Sequence, residues 1–126
     1  MEEIIIQITL RDALITSFGS RMPSPYTCKI FLKAPENWVE NGNLIEEGKE
    51  KFFQSFYGPD WKNGNSDGSR YSVYEYEETV LKSPEAIQSA REEAETQSDP
   101  KVKWWFNRVD EEGNVVTCEK TEIFSE

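Results

Sequence analysis

The first third of the chain alternates between apolar and polar residues in two stretches. In residues 3–11, apolar side chains at even positions alternate with mostly polar ones at odd positions. Residues 26–34 repeat the pattern, with Cys28, Ile30 and Leu32 on one side. Because successive side chains of a strand point to opposite faces, each stretch predicts a half-buried β-strand. The segment 19–25 between them carries a glycine and two prolines and is expected to break regular structure.

Two different periods follow in the middle of the chain. Residues 44–58 place apolar side chains near helical spacing, with acids early and Gly58 at the end, and predict a helix. Residues 70–81 return to a period of two and predict a strand. One face of this strand is expected to carry Tyr71, Val73 and Glu75, and the other Ser72, Tyr74, Tyr76 and Glu78.

A second helix is predicted over residues 83–97 by a complete start signal. Ser83 stands at the N-cap position, Pro84 at the first helical position and Glu85 in the first turn. The apolar stripe of this helix consists of three alanines and Ile87. Since such a stripe is small and narrow, the helix is expected to lie shallowly on a sheet.

Residues 101–124 read as a β-hairpin around the turn Asp110–Asn114. Trp104 and Trp105 then point to opposite faces. The face of Trp104 is expected to be core and to carry Val102, Trp104, Phe106, Val116, Cys118 and Phe124. The other face would present Lys103, Trp105, Asn107, Val109, Thr117, Thr121 and Ile123. The mixed composition of this second face is typical of an interface centre, although cover by the loop 57–69 is an open alternative.

The resulting order is β-β-α-β-α-β-β in a single domain of residues 1–126. Helices between hairpins, without regular βαβ alternation, favour an α+β fold. We expect an antiparallel sheet of four to five strands with two helices packed on one face. The second sheet face would meet solvent, another layer or a partner.

The charge of the chain is strongly negative and unevenly distributed. Its 24 acids and 14 bases give a net charge of −10. Residues 1–63 carry nine acids and seven bases, a net −2, whereas residues 64–126 carry fifteen and seven, a net −8. Such a field favours a basic protein partner and opposes direct contact with nucleic acid or anionic membrane, and solubility alone is the alternative explanation for the charge.

Several classes of site lack the residues they need. The chain has no histidine, and its cysteines, Cys28 and Cys118, are far apart, so we expect no zinc, no cofactor and reduced thiols in a cytoplasmic setting. No stretch fits a signal peptide or a membrane span. Four residues match positions 1, 3, 5 and 6 of a calcium loop: Asn63, Asn65, Asp67 and Gly68. Because position 12 is Tyr74 instead of glutamate, no metal is predicted, and cation binding by this loop stays open.

Three functions remain in view. The first is a small, non-catalytic acidic protein that blocks or modulates a basic macromolecule, as immunity proteins, phage antagonists and nucleic-acid mimics do. Its contact residues would be Trp105, Glu75, Glu77, Glu78, Glu92, Glu93, Glu95, Asp110, Glu111 and Glu112. The host, the partner and the oligomeric state are not specified by the sequence.

The second function is a homo-oligomeric module, joined through the Trp105 face, that binds a small planar or phosphorylated ligand. Its pocket would be formed by Trp61, Arg70, Tyr71 and Tyr74. The third is a carboxylate-dependent enzyme. With no histidine, no nucleophile motif and no phosphate loop, the sequence favours a protein that is not an enzyme.

Overall fold

The computed structural model describes residues 2–64 and 66–124, which form one curled, six-stranded mixed sheet, a small hairpin and three α-helices. The strands are β1 (Glu3–Ile15), β2 (Arg21–Pro23), β3 (Thr27–Pro35), β4 (Val39–Glu40), β5 (Asn43–Leu44), β6 (Arg70–Leu81), β7 (Val102–Val109) and β8 (Val115–Thr117). The helices are α1 (Glu46–Tyr57), α2 (Pro84–Thr96) and α3 (Lys120–Phe124).

Strand β1 is an inner strand of the sheet because it pairs along both of its edges. One edge pairs antiparallel with β6, and the other pairs antiparallel with β3 and then with β2. Beyond β3 the sheet continues through β7 to β8. Strand β6 is therefore an outer strand, and β8 lies at the opposite edge. Strands β4 and β5 form a separate hairpin.

Each face of the sheet has its own core. Ile6, Ile8 and Leu10 point to the face that α1 covers with Phe52 and Phe53, which we call the α1 face. Ile5 and Phe31 point to the other face, which α2 and α3 cover and which we call the α2 face. The two clusters follow from apolar side chains at adjacent positions in β1 and β3.

Helix α2 begins, and helix α1 ends, where their sequence signals predict. The Ser83 hydroxyl accepts a hydrogen bond from the Ala86 amide at 3.1 Å, and Pro84 is the first residue of α2. Gly58 follows α1 with a φ of 107°, a conformation that favours glycine. The α+β class is confirmed as well.

Two features of the arrangement differ from the expected antiparallel sheet with helices on one face. Strand β7 pairs parallel with β3, so the sheet is mixed. The two long helices cover opposite faces. The reason is that β3 buries Ile30, Phe31 and Leu32 in succession, so that neither face of the sheet centre can be left to solvent.

Two local predictions are corrected. Strand β2 forms inside the segment 19–25 that was expected to be irregular, where it pairs with the end of β1. The end of the predicted hairpin is helix α3. Ile123 and Phe124 are therefore both buried in the α2-face core, although a strand would have placed them on opposite faces.

A β-bulge also interrupts the alternation of β6. The pairing with β1 shifts between Arg11 and Asp12, which leaves Tyr74 as the extra residue. Val73 and Tyr76 consequently both pack on the α1 face, whereas strict alternation had placed them on opposite faces.

Candidate functional site

The two adjacent tryptophans point to opposite faces, as predicted, but both are packed within the chain. Trp104 stacks on Phe31 with ring centroids 5.8 Å apart on the α2 face. Trp105 meets the ring of Phe56 edge-on, at 5.2 Å, on the α1 face. Trp105 is half-buried against this helix and also lines a depression of about 120 Å³ with Asn107 and Thr117. Its role as the centre of an interface stays a prediction.

The acids predicted to contact a partner fall into internal pairs and free surface positions. Three of them form ion pairs within the chain: Glu75 with Arg11, Glu93 with Lys29, and Glu95 with Arg91. Glu92 accepts a hydrogen bond from Gln88. In residues 2–64 and 66–124, Glu77, Glu111 and Glu112 are exposed and have no ion-pair partner. Only part of the negative charge is therefore free to meet another molecule.

Two other predicted contact residues have local structural roles. A carboxylate oxygen of Glu78 accepts a hydrogen bond from the Tyr76 hydroxyl at 2.8 Å, and the other accepts one from the Leu44 amide at 3.3 Å. Asp110 accepts hydrogen bonds from the amides of Glu112 and Asn114 and thereby shapes the turn between β7 and β8. These carboxylates stabilise loops and strand ends.

The structure does not bring all the acids together on one surface. Glu75 and Glu77 lie on outer strand β6, whereas Asp110–Glu112 follow β7 near the opposite edge. Glu75 and Glu77 border a depression of about 120 Å³, and Glu78 points to the other face. A paired-carboxylate enzyme needs two carboxyl groups across a substrate cleft, and this depression is below the size of ordinary ligand pockets.

Three of the four residues predicted for a ligand pocket do come together. Trp61, Arg70 and Tyr71 line a pocket of about 290 Å³, together with Tyr57 and Asp60. Its wall forms because the ring of Trp61 packs on Phe53 and Tyr57 immediately after α1 ends. The residues can offer aromatic faces and one guanidinium to a small planar anion.

Tyr74, the fourth residue, lies elsewhere. The bulge places its ring beside the guanidinium groups of Arg11 and Arg21, whose carbons lie 4.9 Å and 4.8 Å from the ring centroid. The alternating sequence gives no sign of the bulge. The predicted pocket therefore included Tyr74, which does not line it.

Sequence reasoning missed a polar cluster behind this pocket. Burial raises the pKa of Asp12, and its nearby charge contributes to the raised pKa values of Cys28 and Tyr57. Desolvation is the larger cause in both neighbours, and it raises the pKa of Cys28 to about 11. The Tyr57 hydroxyl is buried without a hydrogen-bond partner in the described part of the chain. A protonated thiol of this kind is a poor nucleophile.

Exposed apolar side chains lie at the same end of the sheet as Tyr71, which lines the pocket. Met22 and Tyr71 lie on either side of Leu14 in the register and are 57% and 52% exposed. Phe18, in the turn between β1 and β2, is 96% exposed. We call Phe18, Met22 and Tyr71, with the pocket, the aromatic end. A cluster of this kind is typical of contact surfaces.

The possible cation loop gains no support from the described residues. Asn65 lies outside them, and the Asp67 carboxylate accepts hydrogen bonds from the amide and the hydroxyl of Ser69, which lower its pKa. No group of three cysteine or acidic side chains in residues 2–64 and 66–124 is arranged to hold a metal ion.

No family model, curated protein or solved structure matches this chain. None of the helices described here has the length and apolar character needed to cross a membrane. The function is therefore argued from the site alone.

Proposed function

We propose that this chain is a small, non-catalytic binding protein that holds an extended, basic segment of another protein along β6. The proposal keeps the basic partner that the net charge favours and moves the contact from Trp105 to the outer strand. The observation that carries it is an outer strand with one free edge, on which Tyr71, Tyr74, Glu75 and Glu77 are all exposed.

The backbone of β6 can accept another strand. It has 12 residues and pairs with β1 along one edge only. No other strand of the described chain pairs with its second edge, and β5 approaches it only near Glu78. Roughly half of the backbone N–H and C=O groups of an outer strand point away from the sheet, where they can bond to an added strand.

The side chains of β6 indicate the composition of that added strand. Glu75 and Glu77 point to the same face, so a strand beside them would gain from lysine or arginine at alternate positions. Tyr71 and Tyr74 supply large rings nearer the aromatic end, where apolar partner side chains can pack. The net charge of −10 would speed encounter with a basic partner.

The same charges disfavour pairing between two copies of β6. In an antiparallel pair centred on Tyr76, Glu75 of one copy would lie opposite Glu77 of the other. Like charges directly opposite each other destabilise a strand pair. Part of the Trp105 ring, the predicted contact of a homo-oligomer, already packs on Phe56 of the same chain. We therefore expect the protein to be monomeric, and light scattering measures this directly.

The direct test uses a peptide of about ten residues that alternates lysine and valine, a length that matches an ordinary strand. Its control has the same sequence with N-methyl groups on alternate backbone nitrogens, which removes one edge of hydrogen-bond donors. We expect the first peptide to bind in fluorescence anisotropy and the control to bind at least tenfold more weakly. Equal binding of the two peptides would mean that charge alone accounts for the affinity, and it would contradict strand addition.

Two matched variants locate the contact. Glu77→Lys and Glu112→Lys change the net charge equally, and both carboxylates are exposed without an ion pair in the described chain. We expect Glu77→Lys to weaken peptide binding several-fold and Glu112→Lys to leave it close to that of the wild type. Affinity should also fall as salt is raised. Identical affinities in the two variants would place the contact away from β6.

A second candidate function rests on the pocket of Trp61, Arg70 and Tyr71, which assembles three of the predicted ligand residues. We propose a small planar anion as its ligand. Benzoate, indole-3-carboxylate and indole can be titrated while tryptophan fluorescence is followed. Binding of the charged ring compounds that is lost in Arg70→Gln supports this function, and equal binding of indole excludes a role for the guanidinium.

A further inference from the structure

A second cleft lies on the α2 face, away from β6's free edge and the aromatic end. It has a volume of about 530 Å³ and opens between α2, the start of β1 and α3. Its floor is apolar: Ile5, Leu81, Ile123 and Phe124 line it, and each is no more than 7% exposed. The volume falls within the range of small-molecule sites.

The cleft exists because α2 rests on small side chains. Ala86, Ala90 and Ala94 face the sheet, and Ala90 is the one buried residue of the helix. Alanines hold the helix close to the sheet without filling the space beside it. Ile87 borders this space and gives the cleft an apolar wall.

The rim of the cleft carries three cations in a strongly acidic chain. Lys33, Lys82 and Arg91 line it together with Glu2 and Glu3. Lys82 is exposed and forms no hydrogen bond or ion pair within residues 2–64 and 66–124. Its ammonium group is therefore available to a ligand.

The other two cations are only partly engaged. The Lys33 ammonium donates to the Glu122 carbonyl at 3.2 Å, and Arg91 Nε donates to Glu95 at 3.1 Å. An ammonium group has three donors and a guanidinium has five, so both retain capacity for an anion.

We propose that this cleft binds a small amphipathic anion, an aliphatic chain that ends in a carboxylate. The chain would lie on the floor of Ile5 and Leu81, and the carboxylate would meet Lys82 and Arg91. The cations favour a ligand with a negative charge, and the apolar floor favours a ligand with an aliphatic tail. This site is independent of the proposed function, because Leu81 is the only residue of β6 that lines it and none of Tyr71, Tyr74, Glu75 and Glu77 does.

The test is a calorimetric titration with decanoate, at concentrations below those at which it forms micelles. Decanol has the same tail without the charge, and acetate has the charge without the tail. We expect saturable binding of decanoate and at least tenfold weaker binding of both controls. Failure of decanoate to bind, or equal binding of decanol, would overturn the proposal.

Variants test whether the cations and the apolar wall of the cleft contribute to decanoate binding. The double variant Lys82→Gln, Arg91→Gln should weaken decanoate binding about tenfold, and Lys101→Gln, which removes an exposed lysine outside the cleft, should leave it unchanged. Ile87→Asp should abolish binding, and circular dichroism establishes that each variant is folded. Wild-type affinity in the folded double variant would contradict the site.

The same carboxylate-and-tail chemistry is offered by lipids in a bilayer. Sedimentation with vesicles that contain oleate distinguishes a free ligand from a lipid in a bilayer. Binding of free decanoate without binding to vesicles supports a site for a monomeric ligand, which the net charge of −10 favours. Vesicle binding without decanoate binding would overturn the proposal.

Discussion

The two long helices have nearly equal lengths but pack side chains of different size against the sheet. Helix α1 has 12 residues and packs Phe52, Phe53 and Phe56 on its face. Helix α2 has 13 residues and packs mainly alanines and Ile87. The first face gains large helix rings in its core, and the second retains a cleft of about 530 Å³ beside the small side chains of α2. The size of the side chains in an apolar stripe, and not the stripe alone, decides whether a helix closes a face.

The adjacent tryptophans illustrate this difference. Trp105 lies under the ring of Phe56. Trp104 lies on the alanine side, where the ammonium group of Lys29 is 5.6 Å from its ring centroid and forms an ion pair with Glu93 of α2. Trp104 thus stacks on a ring of the sheet, Phe31, and receives a charged contact from the α2 side, whereas the ring that meets Trp105 comes from helix α1.

The largest expected effect comes from removing a ring on the α1 face. Phe52 is 1% exposed, so Phe52→Ala should lower the free energy of unfolding by about 3 to 5 kcal/mol. Ile87 of α2 is half-buried, and part of its side chain borders the cleft. Ile87→Ala should therefore lower the free energy of unfolding by less than about 2 kcal/mol. Urea denaturation of the two variants measures both values. A larger loss for Ile87→Ala would contradict the comparison.

The next effect concerns the close approach of α1 to the 3₁₀ turn Glu36–Trp38. A Cβ atom at Gly48 would lie 2.8 Å from Cε3 of Trp38. Gly48→Ala should therefore destabilise the fold by about 1 to 3 kcal/mol, although alanine has the higher helix propensity.

Ser55→Ala is the control for Gly48→Ala, because Ser55 is exposed on the same helix. It should change the free energy of unfolding by less than about 0.5 kcal/mol. A stabilising effect of Gly48→Ala in thermal denaturation would mean that Trp38 moves aside at little cost.

A smaller effect is expected at the start of α2. Ser83→Ala removes the side chain that accepts the Ala86 amide and should cost about 1 kcal/mol. Ser83→Asp retains an acceptor and is the matched control. Since α2 is held by few large side chains, part of the loss should appear as fraying of α2, measured by amide chemical shifts. An unchanged stability would show that the cap adds nothing there.

The smallest expected effect is a difference in alkylation rate between two thiols, one on each face of the sheet. Burial raises the pKa of both Cys28 and Cys118 to about 11, so roughly one thiol in a thousand is ionised near pH 8 at either site. Alkylation of each should accelerate about tenfold per pH unit up to about pH 10. Cys28 is buried under the α1-face core and Cys118 is half-buried, so Cys118 should react faster with iodoacetamide. Mass spectrometry of the labelled peptides gives both rates, and faster labelling of Cys28 would contradict the comparison.

The parts of the fold that depend on local chemistry were predictable from the sequence. The alternation of β1, the Ser83 cap and the Gly58 stop act within a few residues of where they are read. The alanine stripe also predicted that α2 would lie shallowly. The cleft beneath it follows from that stripe, but only the fold shows that Lys33 and Arg91 meet there.

The features that depend on distant contacts were not predictable in the same way. Parallel pairing of β3 with β7 and the cover of Trp105 by Phe56 join residues far apart in the chain. The bulge at Tyr74 appears only when β6 is aligned with β1. Trp61, Arg70 and Tyr71 line one pocket because the ring of Trp61 packs on Phe53 of the nearby helix α1, and their binding of a ligand stays a prediction.

Native-state hydrogen exchange tests most directly whether the α1 face is closed and the α2 face is open. The amides of α1 should exchange only through global unfolding, and those of α2 should exchange through a local opening of lower free energy. The expected result is a lower opening free energy for Ala90 than for Phe52, with little dependence on denaturant in α2. Equal opening free energies in the two helices would contradict the account.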